Sequence, residues 1–415
     1  MVAPKLRFKE FDHKWDQLVF SDVFSFYNTN SYSRALLDDK GEIMNIHYGD
    51  IHTKFSMLFD VRKEQIPYLG EEIDKKKIRE ENFLKIGDLV IADASEDYKD
   101  IGKAIEVINL DNKKVVAGLH TYIARPTKPC AIGFNGYLMQ TANIRSQIQK
   151  LATGISVLGI SKTNISKIQL CLPSEAEQDK IASFLSAVDE KIAQLSQKHQ
   201  LLSQYKQGMM QKLFSQQIRF KADDGSEFSE WKTLKFKYFI QERNQICSDA
   251  TVELCSLTIE KGVTEKTERY TRDFLVKDEK NAYKEVHFND FVMNPMNLRF
   301  GAIAKSNMDK IVKISKYYNV FNINQNIVNL DYFVYFSVSK PIIDFYNLMS
   351  TGSLIEKRRN HFKDFIQYEK SFPCLEEQTK IANFLSAIDQ KIEVTAQQIE
   401  QAKQWKKGLL QQMFV

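Results

Sequence analysis

Residues 173–214 recur at 373–414 with a constant offset of 200. PSEAEQDKIASFLSAVDEKI becomes PCLEEQTKIANFLSAIDQKI, and identities continue without a gap at Gln197/Gln397, Lys206/Lys406, Gly208/Gly408, Gln211/Gln411 and Phe214/Phe414. A second matched pair opens each half: Leu6-Arg7-Phe8-Lys9 then Trp15, against Ile218-Arg219-Phe220-Lys221 then Trp231. Self-similarity in a single register makes the chain two copies of one unit, which constrains the fold before any other feature does.

Each unit reads as a leading segment, a globular part of about 150 residues and a tail helix. Apolar residues of the first tail fall at Ile181, Leu185, Val188, Ile192, Leu195, Leu202, Met209 and Leu213, and those of the second at Ile381, Leu385, Ile388, Ile392, Ile399, Leu409 and Met413. The three- and four-residue steps are heptad spacing. Pro173 and Pro373 mark helix entry, since proline fits a first turn and not an interior. A helix from about Glu177 to Phe214 would be roughly 57 Å long at 1.5 Å per residue. Two amphipathic helices packed on separate domains would show the same periodicity, but matched length and register favour one antiparallel coiled coil.

The expected fold is therefore α+β: two α/β domains in tandem, separated by two long helices. The expected boundaries are 1–172, 173–214, 215–372 (a linker with turn residues Asp223-Asp224-Gly225, then the second domain) and 373–415. Strand-like runs lie at Asp88 to Ala92, Val115 to Leu119 and Thr121 to Ala124, and at Val252 to Thr258, Ile311 to Ile314 and Val320 to Ile323. One helical segment is expected in each domain, Tyr137 to Leu151 and Tyr332 to Met349. Each ends in Thr-Gly (Thr153-Gly154, Thr351-Gly352), where glycine suits a helix stop.

Composition narrows the function classes. With 415 residues, 43% hydrophobic, the chain can bury substantial cores. Charge interrupts every apolar run well before the roughly 18 residues of a membrane span, and MVAPKLRFKE lacks a signal-peptide core, so a cytoplasmic location is expected. Five cysteines without a CxxC pair suggest buried thiols rather than disulfides or zinc. Net charge is only +5, which permits DNA binding without demanding it. The tails are each neutral, so the excess sits in the globular parts.

No G-x-G-x-x-G, GxxxxGK[ST] or HExxH occurs, so dinucleotide, ATP and zinc-hydrolase chemistry lack their motifs. Asn294-Pro295-Met296-Asn297 resembles the base-holding loop of amino-methyltransferases but lacks its second proline and its aromatic. Glu71-Glu72-Ile73-Asp74 runs directly into Lys75-Lys76-Lys77, a solvated mixed-charge surface rather than a metal site. His47 and His52 flank Asp50 without a third ligand close by. No metal or cofactor is expected.

Similar helices, each beginning P-x-x-x-EQ-x-KIA-x-FLSA-[VI]-D-x-KI and following a globular part of unlike sequence, resemble the specificity subunits of type I restriction-modification enzymes. KIGDLVIADASEDYKDIGKA with VAGLHTYIARP resembles one group of their target-recognition domains, and NDFVMNPMNLRFGAIAKSN another. The resemblance spans the chain. It implies a non-catalytic subunit whose two domains read double-stranded DNA at a bipartite site. It also implies that the helices hold the readers apart and dock two methyltransferase subunits, and through them restriction and translocation subunits. A rod of that length could space readers about one DNA turn, 34–36 Å, or slightly more apart.

Base reading in a major groove calls for polar side chains on braced loops. Asn294, Asn297 and Arg299 fit in the second domain, with Ser353, Lys357, Arg358 and Arg359 past Thr351-Gly352 as phosphate-side candidates. In the first domain the candidates are Ser95 and Tyr98, Thr153 and Ser156, with Lys75, Lys76 and Lys77 for phosphate. Three rival readings stand: a coiled-coil adaptor without DNA specificity, the specificity subunit of a methyltransferase-only system, and a single-chain methyltransferase, which the missing motifs disfavour.

Overall fold

The computed structural model describes residues 3–265, 282–354 and 357–415. It divides into two compact units, Met1–Ser196 with Gln397–Val415, and Gln197–Ala396. The repeated tails form a central helix, Glu175–Phe214, and a distal helix, Leu375–Met413. Each helix is shared, its two halves belonging to different units.

Within each unit the helix halves run antiparallel. In the first, Asp189 meets Lys406 and Phe184 meets Trp405; in the second, Asp389 meets Lys206 and Phe384 meets Tyr205. The expected seam is buried where a globular part covers it, at Ile181, Leu185, Val188, Ile381, Leu385 and Ile388. Elsewhere along the seam Ile192, Leu202 and Met209 are only half-buried, while Leu195 and Thr395 near the helix centres are buried.

The first globular part packs around a five-stranded sheet ordered Phe24–Tyr27, Thr121–Pro126, Leu89–Ala92, Ala104–Asn109, Leu58–Asp60. Its pairs are antiparallel except the last. A smaller four-stranded sheet holds Lys114–Ala117, Ile43–Ile46, Tyr68–Leu69 and Leu37–Asp38. The second globular part has an antiparallel sheet ordered Ile240–Glu242, Asn319–Ile323, Phe291–Met293, Ile303–Lys305, with two separate strand pairs, Cys255–Thr258 with Gly262–Glu265 and Tyr283–Val286 with Val312–Ser315. Strand existence follows the apolar β-branched runs; only the ends shift by a few residues.

The same ribbon closes both units: Asp16–Val19 pairs with Gln169–Leu172, and Lys232–Lys235 with Glu369–Phe372. Each ribbon ties the start of a globular part to the residue before the helix-entry proline. Central-helix residues Leu213 and Phe214 enter the second core, and Leu409, Met413 and Phe414 enter the first.

Each single helical segment expected from sequence is two helices. Phe134–Gln140 and Ala142–Leu151 are broken at Thr141, which takes extended backbone and caps the second helix by accepting from the Ile144 N–H. Leu330–Ser337 and Lys340–Met349 are broken at Ser339, with Pro341 in the first turn that follows. A proline and a hydroxyl able to satisfy free amides are the local cause. Among the described residues no helix is long and apolar enough to cross a membrane.

Candidate nucleic-acid interface

The two units present equivalent edges built from unlike residues. In the first, strand Leu89–Ala92 runs into Asp93, whose carbonyl accepts from the Ile160 N–H at 2.9 Å. In the second, strand Phe291–Met293 runs into Asn294-Pro295, and the Pro295 carbonyl accepts from the Asn360 N–H at 2.9 Å. The ADASEDY and NPMN segments thus occupy one structural station.

Across from each station lies the Thr-Gly loop. Thr153 and Gly159 exchange backbone hydrogen bonds of 2.9 and 2.7 Å, and Thr351 and Arg359 exchange two of 2.9 Å. Gly154 and Gly352 have φ of +126° and +150°, and a Cβ would lie 2.1 Å from the Val157 carbonyl oxygen or 2.8 Å from that of Lys357. The helices stop three residues before these glycines, at Leu151 and Met349. The glycines therefore close a loop rather than end a helix, a role that depends on partners six to eight residues on.

The structure brings the sequence candidates of the first unit together, except the lysines. Ala94–Ser95 pairs with Leu158–Gly159, which sets the Ser95 turn beside the Thr153–Gly159 loop. The Ser95 hydroxyl is spent, donating to the Asp97 carbonyl at 2.9 Å and accepting from the Asp97 N–H at 3.0 Å. Tyr98 is half exposed, and its hydroxyl donates to the Gln149 carbonyl at 3.1 Å. Thr153 and Ser156 are exposed, as are Glu96, Ile155 and Val157. Lys75–Lys77 form a short turn capped by Asp74, on the segment after Tyr68–Leu69, and no hydrogen bond or ion pair ties them to this edge.

In the second unit the Asn360 bond to Pro295 joins the two candidate groups. Asn294 uses its side-chain oxygen to accept from the Met296 N–H at 3.0 Å, which fixes the turn. Asn297 is exposed, and the Arg299 guanidinium lies 4.4 Å from the Phe300 ring centroid. Ser353, Lys357 and Arg359 are exposed. Arg358 is occupied, donating to the Asn347 and Ser350 carbonyls at the end of the preceding helix.

The histidines singled out by spacing are also occupied. His47 Nδ1 accepts from the Gly49 N–H, and burial with nearby Arg34 lowers its pKa; His52 Nε2 lies 3.0 Å from the Ala94 carbonyl oxygen. Sequence reasoning missed the buried ion pairs below each edge, Arg125 with Asp88 and Arg243 with Asp290. In each, the aspartate precedes the strand carrying the station and also accepts a backbone N–H three residues upstream, from Lys85 or His287. An Asp at the same place in both copies was the available signal.

A family description, the type I restriction modification DNA specificity domain, matches residues 13–204. Over 376 residues the chain is 26% identical to the MjaX type I restriction enzyme specificity subunit of Methanocaldococcus jannaschii, spanning 84% of this chain and 82% of that protein. It is 23% identical over 295 residues to the MjaVIII specificity subunit of the same organism, spanning 66% and 68%. Among solved structures, the M. genitalium type I S subunit aligns with a TM-score of 0.55 at 11% identity, covering 100% of this chain and 99% of that one. The HsdS subunit of Thermoanaerobacter tengcongensis aligns at 0.51 and 13%, covering 97% and 96%. These structures share the fold. With the sequence matches, they make the chain similar to type I restriction-modification specificity subunits over most of its length.

Proposed function

We propose that the chain is a non-catalytic reader of a bipartite double-stranded DNA site, one half-site per unit, acting in the cytoplasm. One observation carries this reading: the same station and the same Thr-Gly loop recur in both units with different exposed chemistry. The first edge shows Glu96, Tyr98, Thr153 and Ser156; the second shows Asn297, Ser353, Lys357 and Arg359, with Arg299 half-buried beside Phe300. A shared frame with unlike polar tips is what reading two different base sequences requires.

Base contact falls to Tyr98, Ser156, Asn297 and Arg299, while Lys357, Arg359 and the Lys75–Lys77 turn suit phosphate. Ser95, Asn294 and Arg358 brace the loops. Catalysis belongs to partners: two methyltransferase subunits, with restriction and translocation subunits held through them. Two copies of one aromatic patch support paired docking, Phe8–Phe184–Trp405 and Phe220–Phe384–Tyr205, with Trp405 and Tyr205 about half exposed.

Selection of bound sequences from a random duplex library, by the chain with its methyltransferase, is expected to return two short motifs separated by a fixed gap. Recovery of no motif would leave the adaptor reading; a single motif would overturn the two-reader assignment.

A further inference from the structure

The Thr-Gly loop of the first unit ends in a side chain that the fold does not use. Ile155 is 101% exposed, as open as a side chain can be, and Val157 beside it is 56% exposed. Yet the loop carrying them is held firmly. Thr153 and Gly159 bond each other twice, Leu158 pairs with Ser95, and Gly154 permits a backbone that any side chain would obstruct. The equivalent loop of the second unit also carries an exposed aliphatic residue, Leu354 at 56%. An exposed aliphatic group following Thr-Gly in both units, whose other edge residues differ, calls for a common target.

Resting on the DNA-reading function proposed above, we infer that Ile155 contacts the 5-methyl group of a thymine in the first half-site, and that Leu354 does so in the second. An aliphatic side chain has neither donor nor acceptor, so it gains nothing from phosphate or from polar base edges. The apolar feature that a major groove offers is the thymine methyl. The flanking groups suit a base edge rather than a backbone. Ser156 is adjacent, and the exposed Glu96 follows the strand paired to this loop, with no ion pair or hydrogen bond to its carboxylate among the described residues. A free carboxylate there repels phosphate and accepts from an exocyclic base amine. Contact with the methyl removes both it and the isoleucine from water, which insertion between stacked bases would also do, but only methyl contact depends on the methyl itself.

The test uses the full chain assembled with its methyltransferase on a duplex carrying the selected site. Each thymine is replaced singly by deoxyuridine, which keeps pairing and removes the methyl. One such replacement in the first half-site is expected to weaken binding about fourfold, the worth of one methyl withdrawn from water. Ile155→Ala should weaken binding to the unmodified site by a similar factor and abolish the difference between thymine and deoxyuridine at that position, leaving the second half-site unchanged. Leu354→Ala should do the reverse. Because both side chains are exposed, the variants fold, which circular dichroism checks. Sequence-specific binding indifferent to every deoxyuridine overturns the inference while leaving the reading function intact. So does a first half-site without an A·T pair, or an Ile155→Ala variant that still distinguishes the two bases. Loss of all sequence preference in the wild type overturns both.

Discussion

Glu106 shows how one position can be served by opposite charges. It lies wholly buried in strand Ala104–Asn109, and its carboxylate accepts the N–H groups of Gly133 and Gly136 at 2.7 and 2.6 Å. Strand register makes Lys305 its counterpart: Ile91 pairs with Ala104 and Met293 with Ile303, each two residues earlier. There Lys305 bonds Asp331, in the first turn of Leu330–Ser337, at 2.7 Å. Burial pushes the Glu106 pKa up from 4.5 to about 7, despite the amide donors that pull it down. A carboxyl with a raised folded pKa holds more protons folded than unfolded, so stability falls as pH rises from about 4.5 to about 7 and levels off above. The loss is about 3 kcal/mol at most. Thermal unfolding of the first unit is expected to drop across that window, and Glu106→Gln should flatten the profile; an unchanged slope in the variant would assign the dependence elsewhere. A lone carboxylate in the apolar run Ala-Ile-Glu-Val-Ile was visible in the sequence. Its partners were not, because they lie 27 and 30 residues away.

At the scale of elements, the repeated motif around the helix starts is a set of stitches. Glu177 holds Arg7 at 2.7 and 2.8 Å, and Glu377 holds Arg219 at 3.1 and 2.8 Å and also accepts from Trp231 Nε1. Gln178 donates to the Pro173 carbonyl and accepts from the Ala131 N–H; Gln378 does the same with Pro373 and Asn329. Asp189 receives Tyr137 and Lys406, and Asp389 receives Tyr335 and Lys206. The sequence made these helices legible because the second copy showed which residues mattered, including the arginines that share the leading segments. It left the globular interiors less legible, since their unlike copies offered no such check and the helix breaks turn on single residues, the capping hydroxyl of Thr141 and Pro341. Glu377 is wholly buried, so Glu377→Ala strands Arg219 and should cost the second unit about 3 kcal/mol, while Arg219→Met with Glu377→Leu recovers most of it. Hydrogen exchange resolved by segment would measure this, and equal destabilisation of both units would contradict the stitching role. The aromatic patches predict a separate effect: Tyr205→Ala with Trp405→Ala should weaken methyltransferase association at least tenfold without altering the melting of either unit. Undiminished association on a sizing column would remove those patches from the docking surface.

For the whole molecule, the proposed reading makes the shared helices a spacer. Matched insertions of four residues after Gln197 and Gln397, close to one helical turn, approximately keep the seam and add about 6 Å, nearly two base-pair steps of 3.4 Å. The selected gap should lengthen accordingly with both half-site motifs unchanged, and retention of the original gap would show that the helices are not the ruler. The interleaving of the chain also bears on the order in which it leaves the ribosome. Residues 197–396 form the second unit without a break, whereas the first unit needs Gln397–Val415 as well as Met1–Ser196. Until Leu409, Met413 and Phe414 are made, Trp15 and Phe134 lack the ring they pack against, and Tyr137 lacks the lysine that lies over it. The half synthesised first is therefore the half completed last, and for some 200 residues of elongation, at about 5–20 residues per second, a nascent chain carries an unfilled apolar groove that a chaperone or a second nascent copy could occupy.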